Sequence, residues 1–158
     1  MKIRNNVFDW ILDGITAAIC VISAAILAVR WNRLPNQVPN HYRMDGTVDG
    51  YAGKGMLIVL MVVICISAVL LTVLLRFPKF WNLPCEVTEQ NSFVVYRITK
   101  YWLSIIRVIL IISLSSLVLF PAFSKPLPSW YTWAEVGIVT VVIVAGLVVT
   151  NVKAKQYH

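Results

Sequence analysis

Four runs of almost uninterrupted apolar residues divide the chain: Phe8 to Trp31, Gly55 to Phe77, Tyr101 to Phe123 and Tyr131 to Thr150. Crossing roughly 30 Å of hydrocarbon takes about 20 residues of helix, and each run meets that length. Lipid offers the backbone no hydrogen-bond partners, so such runs must close their N–H and C=O groups internally, as helices. A β-barrel would need alternating segments of about ten residues, and these runs do not alternate. Charged residues make up 13% of the chain, against about 25% in soluble domains, and aromatic residues such as Trp10, Trp31, Tyr51, Trp81, Trp102 and Trp130 cluster at the ends of the runs, as they do at membrane interfaces. The expected fold is an all-α integral membrane protein: four transmembrane helices in an antiparallel bundle, forming one membrane domain over residues 1–158, with the lipid bilayer as first partner.

The formal net charge of +7 does not point to nucleic acid, because the Lys and Arg residues lie at the edges of the apolar runs, with no basic helix interleaved by aromatics outside them. They report orientation instead. With four spans the termini share a side, which collects Lys2, Arg4, Arg76, Lys79, Arg97, Lys100, Lys153 and Lys155, whereas the other side holds Arg30, Arg33, Arg43, Lys54 and Lys125. This excess places both termini in the cytoplasm. The first run is read as a retained span and not a cleaved signal: it exceeds the usual 7–15 residue apolar core of a signal peptide, and Asp13 interrupts its start. Cys20 and Cys65 fall inside apolar runs and Cys85 in a connection, which gives neither a disulfide framework nor zinc spacing.

Between the second and third runs, "PKFWNLPCE" turns and breaks the chain, after which Thr88 and Glu89 suit a helix start: an oxygen to accept free N–H groups and an acid near the positive dipole end. The third and fourth helices then occupy 88–150, with the third extended into the cytoplasm. Inside it stands Arg107, about 9 Å beyond Tyr101 at 1.5 Å per residue. Asp13 lies at a similar depth in the first span. An arginine at such depth faces the bundle interior and seeks a partner, so Asp13 and Arg107 are expected to pair across helices one and three, with Asp9 one turn away as a second carboxylate. The pair reads as a fastener of helix register and not as part of a proton relay, since the middle of the second span carries no ionisable group and Glu135 sits near the outer end of the fourth. Small residues in helices one and four (Ala17, Ala18, Ala24, Ala25, Ala28, Gly137, Ala145 and Gly146) permit close packing.

The connection between the first two spans, residues 34–55, is different in kind: "LPNQVPNHYRMDGTVDGYAGKG". Pro35 and Pro39 stiffen it, Asp45-Gly46 and Asp49-Gly50 are turn signals, and Lys54 opens the second span. An ordered outer loop is expected, pinned by hydrogen bonds from His41 and Asp49 to Arg43, Lys54 or Arg30. Pro35, Pro39, His41, Gly46, Asp49, Gly50 and Lys54, spaced Pro-x3-Pro-x-His-x4-Gly-x2-Asp-Gly-x3-Lys between two spans, resemble the signature of a bacterial membrane domain of unknown function found at the N-terminus of SdpI-like immunity proteins. The resemblance covers Phe8 to Phe77. It implies a multi-pass protein of the bacterial cytoplasmic membrane that binds an amphipathic peptide toxin or a partner membrane protein, or serves in envelope stress.

Two other readings bear on the same residues. A transporter or channel subunit would be built around Arg107 and Glu135, and a membrane enzyme would hold a metal with His41, Asp45 and Asp49. The aspartates are more simply turn formers, and the glycines prevent a helix that would align the four-residue spacings. No serine or cysteine nucleophile with a base stands in the loop. Accordingly no catalytic residue, metal or cofactor is expected.

Overall fold

The computed structural model describes residues 4–157. Four helices carry the fold: α1 (Val7–Arg30), α2 (Gly55–Leu74), α3 (Ser92–Ala122) and α4 (Tyr131–Gln156), with a two-stranded sheet, β1 (Gln37–Tyr42) and β2 (Val48–Gly53), inserted between α1 and α2. All four helices are long and apolar enough to cross a membrane. The hairpin corrects the all-α expectation.

Each boundary has a local cause. At the start of α1 the Asn6 side chain accepts from the Asp9 N–H at 3.0 Å and the Asp9 carboxylate accepts from the Asn6 N–H at 2.9 Å, a reciprocal cap that satisfies two free donors. Helix α2 stops at Leu74, earlier than Phe77, because Pro78 disfavours helical backbone before it, and residues 75–77 tighten into a turn through Arg76 N–H to Val73 and Phe77 N–H to Leu74. Helix α3 begins at Ser92, one turn after Thr88. That turn is locked by Thr88 Oγ1 accepting from Asn91 N–H at 3.3 Å and Asn91 Oδ1 accepting from Thr88 N–H at 2.8 Å. The fully buried Asn91 also donates to the Ala154 carbonyl at 3.3 Å, tying the start of α3 to the end of α4. Helix α3 ends where Ser124 takes φ of 54°, with Lys125 N–H reaching back to Phe120 and Ser124 N–H to Pro121, the two bonds of a Schellman stop. Helix α4 runs past Thr150 to Gln156, where Lys153 and Lys155 suit the negative end of its dipole.

Helix α3 is the hub, packing against α1, α2 and α4, while α1 and α2 touch each other over less of their length. The core joins Cys20 and Leu27 of α1, Leu57 and Ile64 of α2, and Ile111 and Val118 of α3. Leu34 and Val38 extend it outward into the base of the hairpin.

Helix α4 rests on α3 through a narrow seam. Trp102 lies over Gly146, where a Cβ would come within 2.5 Å of the indole ring, and its Nε1 donates to Thr150 Oγ1 at 3.3 Å. Gly146→Val is therefore expected to destabilise by ~1–3 kcal/mol through overpacking, whereas Gly137→Ala, with no atom within 4 Å of the added carbon, should leave thermal unfolding in detergent unchanged. Equal melting temperatures for the two variants would mean that Trp102 does not hold the seam.

Candidate functional site

Two polar constellations occupy opposite ends of the helices: an exposed one on the hairpin, and a buried one between α1, α2 and α3 on the side of the termini.

The hairpin pairs Gln37 with Gly53, Val38 with Ala52, Pro39 with Tyr51, His41 with Gly50 and Tyr42 with Val48. Between successive pairs β1 gains an extra residue at Asn40 and β2 one at Asp49, so two bulges compensate. Bulges re-aim side chains, and this one turns Asp49 onto its neighbours: Oδ1 meets His41 Nδ1 at 2.5 Å and Oδ2 accepts from Arg43 Nε at 3.1 Å. The His41 bond first, and then that from Arg43, holds the Asp49 carboxyl below the usual carboxylate range. A carboxyl lowered in the folded state supports structure above its unfolded value, near 3.9, and ceases to do so as pH falls through the lowered one. The Asp49 carboxylate is thus fully ionised at neutral pH. His41 and Arg43 remain mostly open to solvent, with side-chain exposures of 70% and 67%.

The hairpin's tip explains its glycine. Gly46 closes the turn with its N–H on the Arg43 carbonyl at 2.9 Å and takes φ of +82°, and a Cβ there would lie 2.5 Å from the Leu127 carbonyl oxygen. The tip is therefore seated on the connection between α3 and α4. Asp45 is spent locally: its Oδ1 accepts from Thr47 N–H at 3.0 Å and Thr47 Oγ1 at 2.6 Å, and those bonds keep its carboxyl low. Burial, with Tyr51 nearby, pushes the Tyr42 phenol up. Among the described residues no group of three or more His, Cys, Asp or Glu is arranged to hold a metal ion.

The other signature residues are structural neighbours of this clasp. Gly50 leaves room for Asn40, whose Oδ1 would lie 2.8 Å from an added Cβ. Pro39 sits in β1 and Pro35 precedes it, exposed. Lys54 and Arg30 were expected as partners of the loop acids, and neither is one. Lys54 Nζ lies over the Trp31 ring and 3.5 Å from the Trp31 carbonyl, and Arg30 Nε donates to the Ala122 carbonyl at 2.7 Å with its guanidinium over Phe123. Both side chains sit at helix ends below the hairpin, so they fasten helix termini and leave the clasp to Arg43.

At the other end, Arg107 Nη1 donates to Asp13 Oδ1 at 2.6 Å and to Thr72 Oγ1 at 2.9 Å, while the Thr72 hydroxyl itself donates to the Ala68 carbonyl at 2.7 Å. The Arg107 side chain is 2% exposed and that of Asp13 21%. Asp9 does not reach Arg107. Its Oδ2 meets Arg97 Nη1 at 3.1 Å and Lys100 Nζ at 3.2 Å: α1 and α3 run in the same direction, and one turn back on α1 faces residues two to three turns back on α3. Lys100 Nζ also donates to Asn5 Oδ1 at 2.7 Å. Arg76 approaches Asp13 at 3.9 Å from the open side. Among the described residues Arg107 Nε and Nη2 and Asp9 Oδ1 find no partner; the two residues border a cavity of about 10 Å³, room for a single water.

The matched part of the chain is the hairpin with its two flanking half-helices. Residues 18–66 match the family described as a domain of unknown function, DUF1648. All seven signature residues fall within the DUF1648 segment, and the buried charges at Asp9, Asp13, Arg97, Lys100 and Arg107 fall outside it. No curated protein and no solved structure matches the chain.

The sequence pattern alone assigns Arg76, Arg97 and Lys100 to orientation and gives Thr72 no role. Their signal was present: Arg97, Lys100 and Arg107 recur near helical spacing on one face of α3, at the levels where Asp9 and Asp13 stand on α1.

Proposed function

We propose that the protein is a multi-pass component of the bacterial cytoplasmic membrane, its helices packed as an antiparallel bundle with both termini cytoplasmic, that recognises an amphipathic peptide at its outer surface in the manner of SdpI-like immunity proteins. One observation carries this reading: His41, Asp49 and Arg43 form a hydrogen-bonded clasp on a twice-bulged hairpin, with the His41 and Arg43 side chains largely in solvent. A recognition surface gains from preorganisation, which avoids about 0.5–1.5 kcal/mol for each side chain ordered on binding, and the bulges and the seated tip fix where these side chains point. The side chains offered are a donor fork in Arg43 and an imidazole in His41, beside the exposed apolar residues Met44 and Tyr51, which suits a ligand with acidic and apolar faces. An apolar core of Leu27, Ile64, Ile111 and Val118 lies between the hairpin and Arg107, and this favours binding over transport.

Expression of the full chain in a bacterium sensitive to a panel of secreted amphipathic peptides tests the proposal. Protection against at least one member, with direct binding of that peptide to the purified protein, is expected; protection against none would remove it. Orientation is separable. Cys85, in the connection between α2 and α3, is partly buried, and burial pushes its thiol up; at alkaline pH an impermeant maleimide should label it only after lysis, and labelling in intact cells would invert the topology.

A further inference from the structure

We propose that the groove between α1 and α2 binds one anionic phospholipid of the leaflet on the side of the termini, with an acyl chain along the groove and its phosphate at Arg76. The groove, of about 520 Å³, lies on the face away from α3 and α4 and is walled by Ala17 and Val21 on α1 and by Cys65 and Val69 on α2. It closes at one end on Trp10, Asp13 and Arg76. From Cys65 to the end of α2 at Leu74 the rise is about 14 Å, close to half of a hydrocarbon core of roughly 30 Å, and Arg76 stands just beyond. The groove therefore has the length of one leaflet, ending where a headgroup begins.

Its shape selects a chain over a helix. The groove lies between two adjacent helices and is floored by Thr16, Cys20 and Ala68, a slot that an extended acyl chain can follow lengthwise, whereas a peptide helix about 10 Å wide would lie across its opening. Charge selects the headgroup. Arg76, Arg97, Lys100 and Arg107 face Asp9 and Asp13 at this end, four cations to two carboxylates. Both carboxylates are engaged by Arg97, Lys100 and Arg107, so the surplus falls on Arg76, half-exposed and 3.9 Å from its nearest acid. Further along the same seam lies a second groove of about 470 Å³, whose walls, from Ala24 and Ala28 on α1 to Ile58 and Val62 on α2, carry no charge. Ordinary lipid contact explains the second groove; the charged mouth of the first calls for an anion.

The test uses the purified full chain in mild detergent, stripped of lipid, offered phosphatidylglycerol or phosphatidylcholine with the same acyl chains, and read by native mass spectrometry. One phosphatidylglycerol per chain is expected, held about fivefold more strongly than phosphatidylcholine, the weight of one basic residue beside an anionic headgroup. Arg76→Gln, at a half-exposed position outside the helices, should abolish the preference. Ala17→Phe, which fills the groove from an exposed wall position, should reduce retention of both lipids, and His41→Ala at the far end should change neither. Equal retention of the two lipids by the wild type, a preference that survives Arg76→Gln, or displacement of the lipid by one equivalent of an amphipathic peptide would each overturn the proposal.

Discussion

Asp13→Leu is expected to destabilise the protein by about 3–5 kcal/mol, the range for breaking a buried pair by removing one partner, and to do so more severely than Arg107→Leu. The asymmetry follows from the environments of the two ends. Arg107 is 2% exposed, its guanidinium cannot shed its charge, and without Asp13 the side-chain bond left to it among the described residues is to Thr72. Asp13 is 21% exposed and has Arg76 at 3.9 Å, so losing Arg107 leaves it with water and a second cation. The double variant, leucine at both positions, should recover much of the loss, because a pair replaced by apolar side chains costs little and can even stabilise.

Unfolding of the four proteins in detergent, analysed as a double-mutant cycle, checks this. A coupling energy near zero would mean that the two residues stabilise separately, and a larger loss in Arg107→Leu than in Asp13→Leu would mean that Asp13 is the more deeply buried end. Two levels of charge contact join α1 to α3, Asp9 with Arg97 and Lys100, then Asp13 with Arg107, and a slide of one helix past the other would break both.

The depth argument that joined Asp13 to Arg107 needed only the rise per residue, Tyr101 and the start of the first span, so it was readable from the chain. Asp9 was misassigned by the same argument, because one turn separates it from Asp13 and its actual partners had been counted as interface charges. The helices were legible because each apolar run has the length and composition of a membrane-crossing helix, and their ends shifted by a few residues wherever a proline or a cap intervened, as at Pro78 and Thr88. The hairpin was not legible as strands. Pro39, Asn40, Gly50 and Gly53 are poor strand formers, and the two bulges at Asn40 and Asp49 break the alternation by which strands are recognised. What did show was its punctuation: Asp45-Gly46 is the turn, and its glycine is demanded both by positive φ and by the Leu127 carbonyl, a contact that no local pattern encodes.

His41→Ala and Asp49→Ala are expected to abolish protection against a cognate amphipathic peptide while the melting temperature of the purified protein stays nearly constant. The clasp is solvent-exposed, and exposed ion pairs contribute little to stability, whereas the hairpin is anchored elsewhere, by Val38 and Leu34 in the core and by Gly46 on the α3–α4 connection. Gly46→Val separates chemistry from presentation. It keeps His41, Arg43 and Asp49 but forces a β-branched residue into positive φ and against the Leu127 carbonyl, so the tip must lift. If recognition needs the clasp in place, Gly46→Val loses protection as completely as the clasp variants do, and peptide binding by the purified proteins falls in parallel. Loss of protection in Gly46→Val alone, with His41→Ala and Asp49→Ala still protective, would instead make the hairpin a lid whose position matters and whose charges do not.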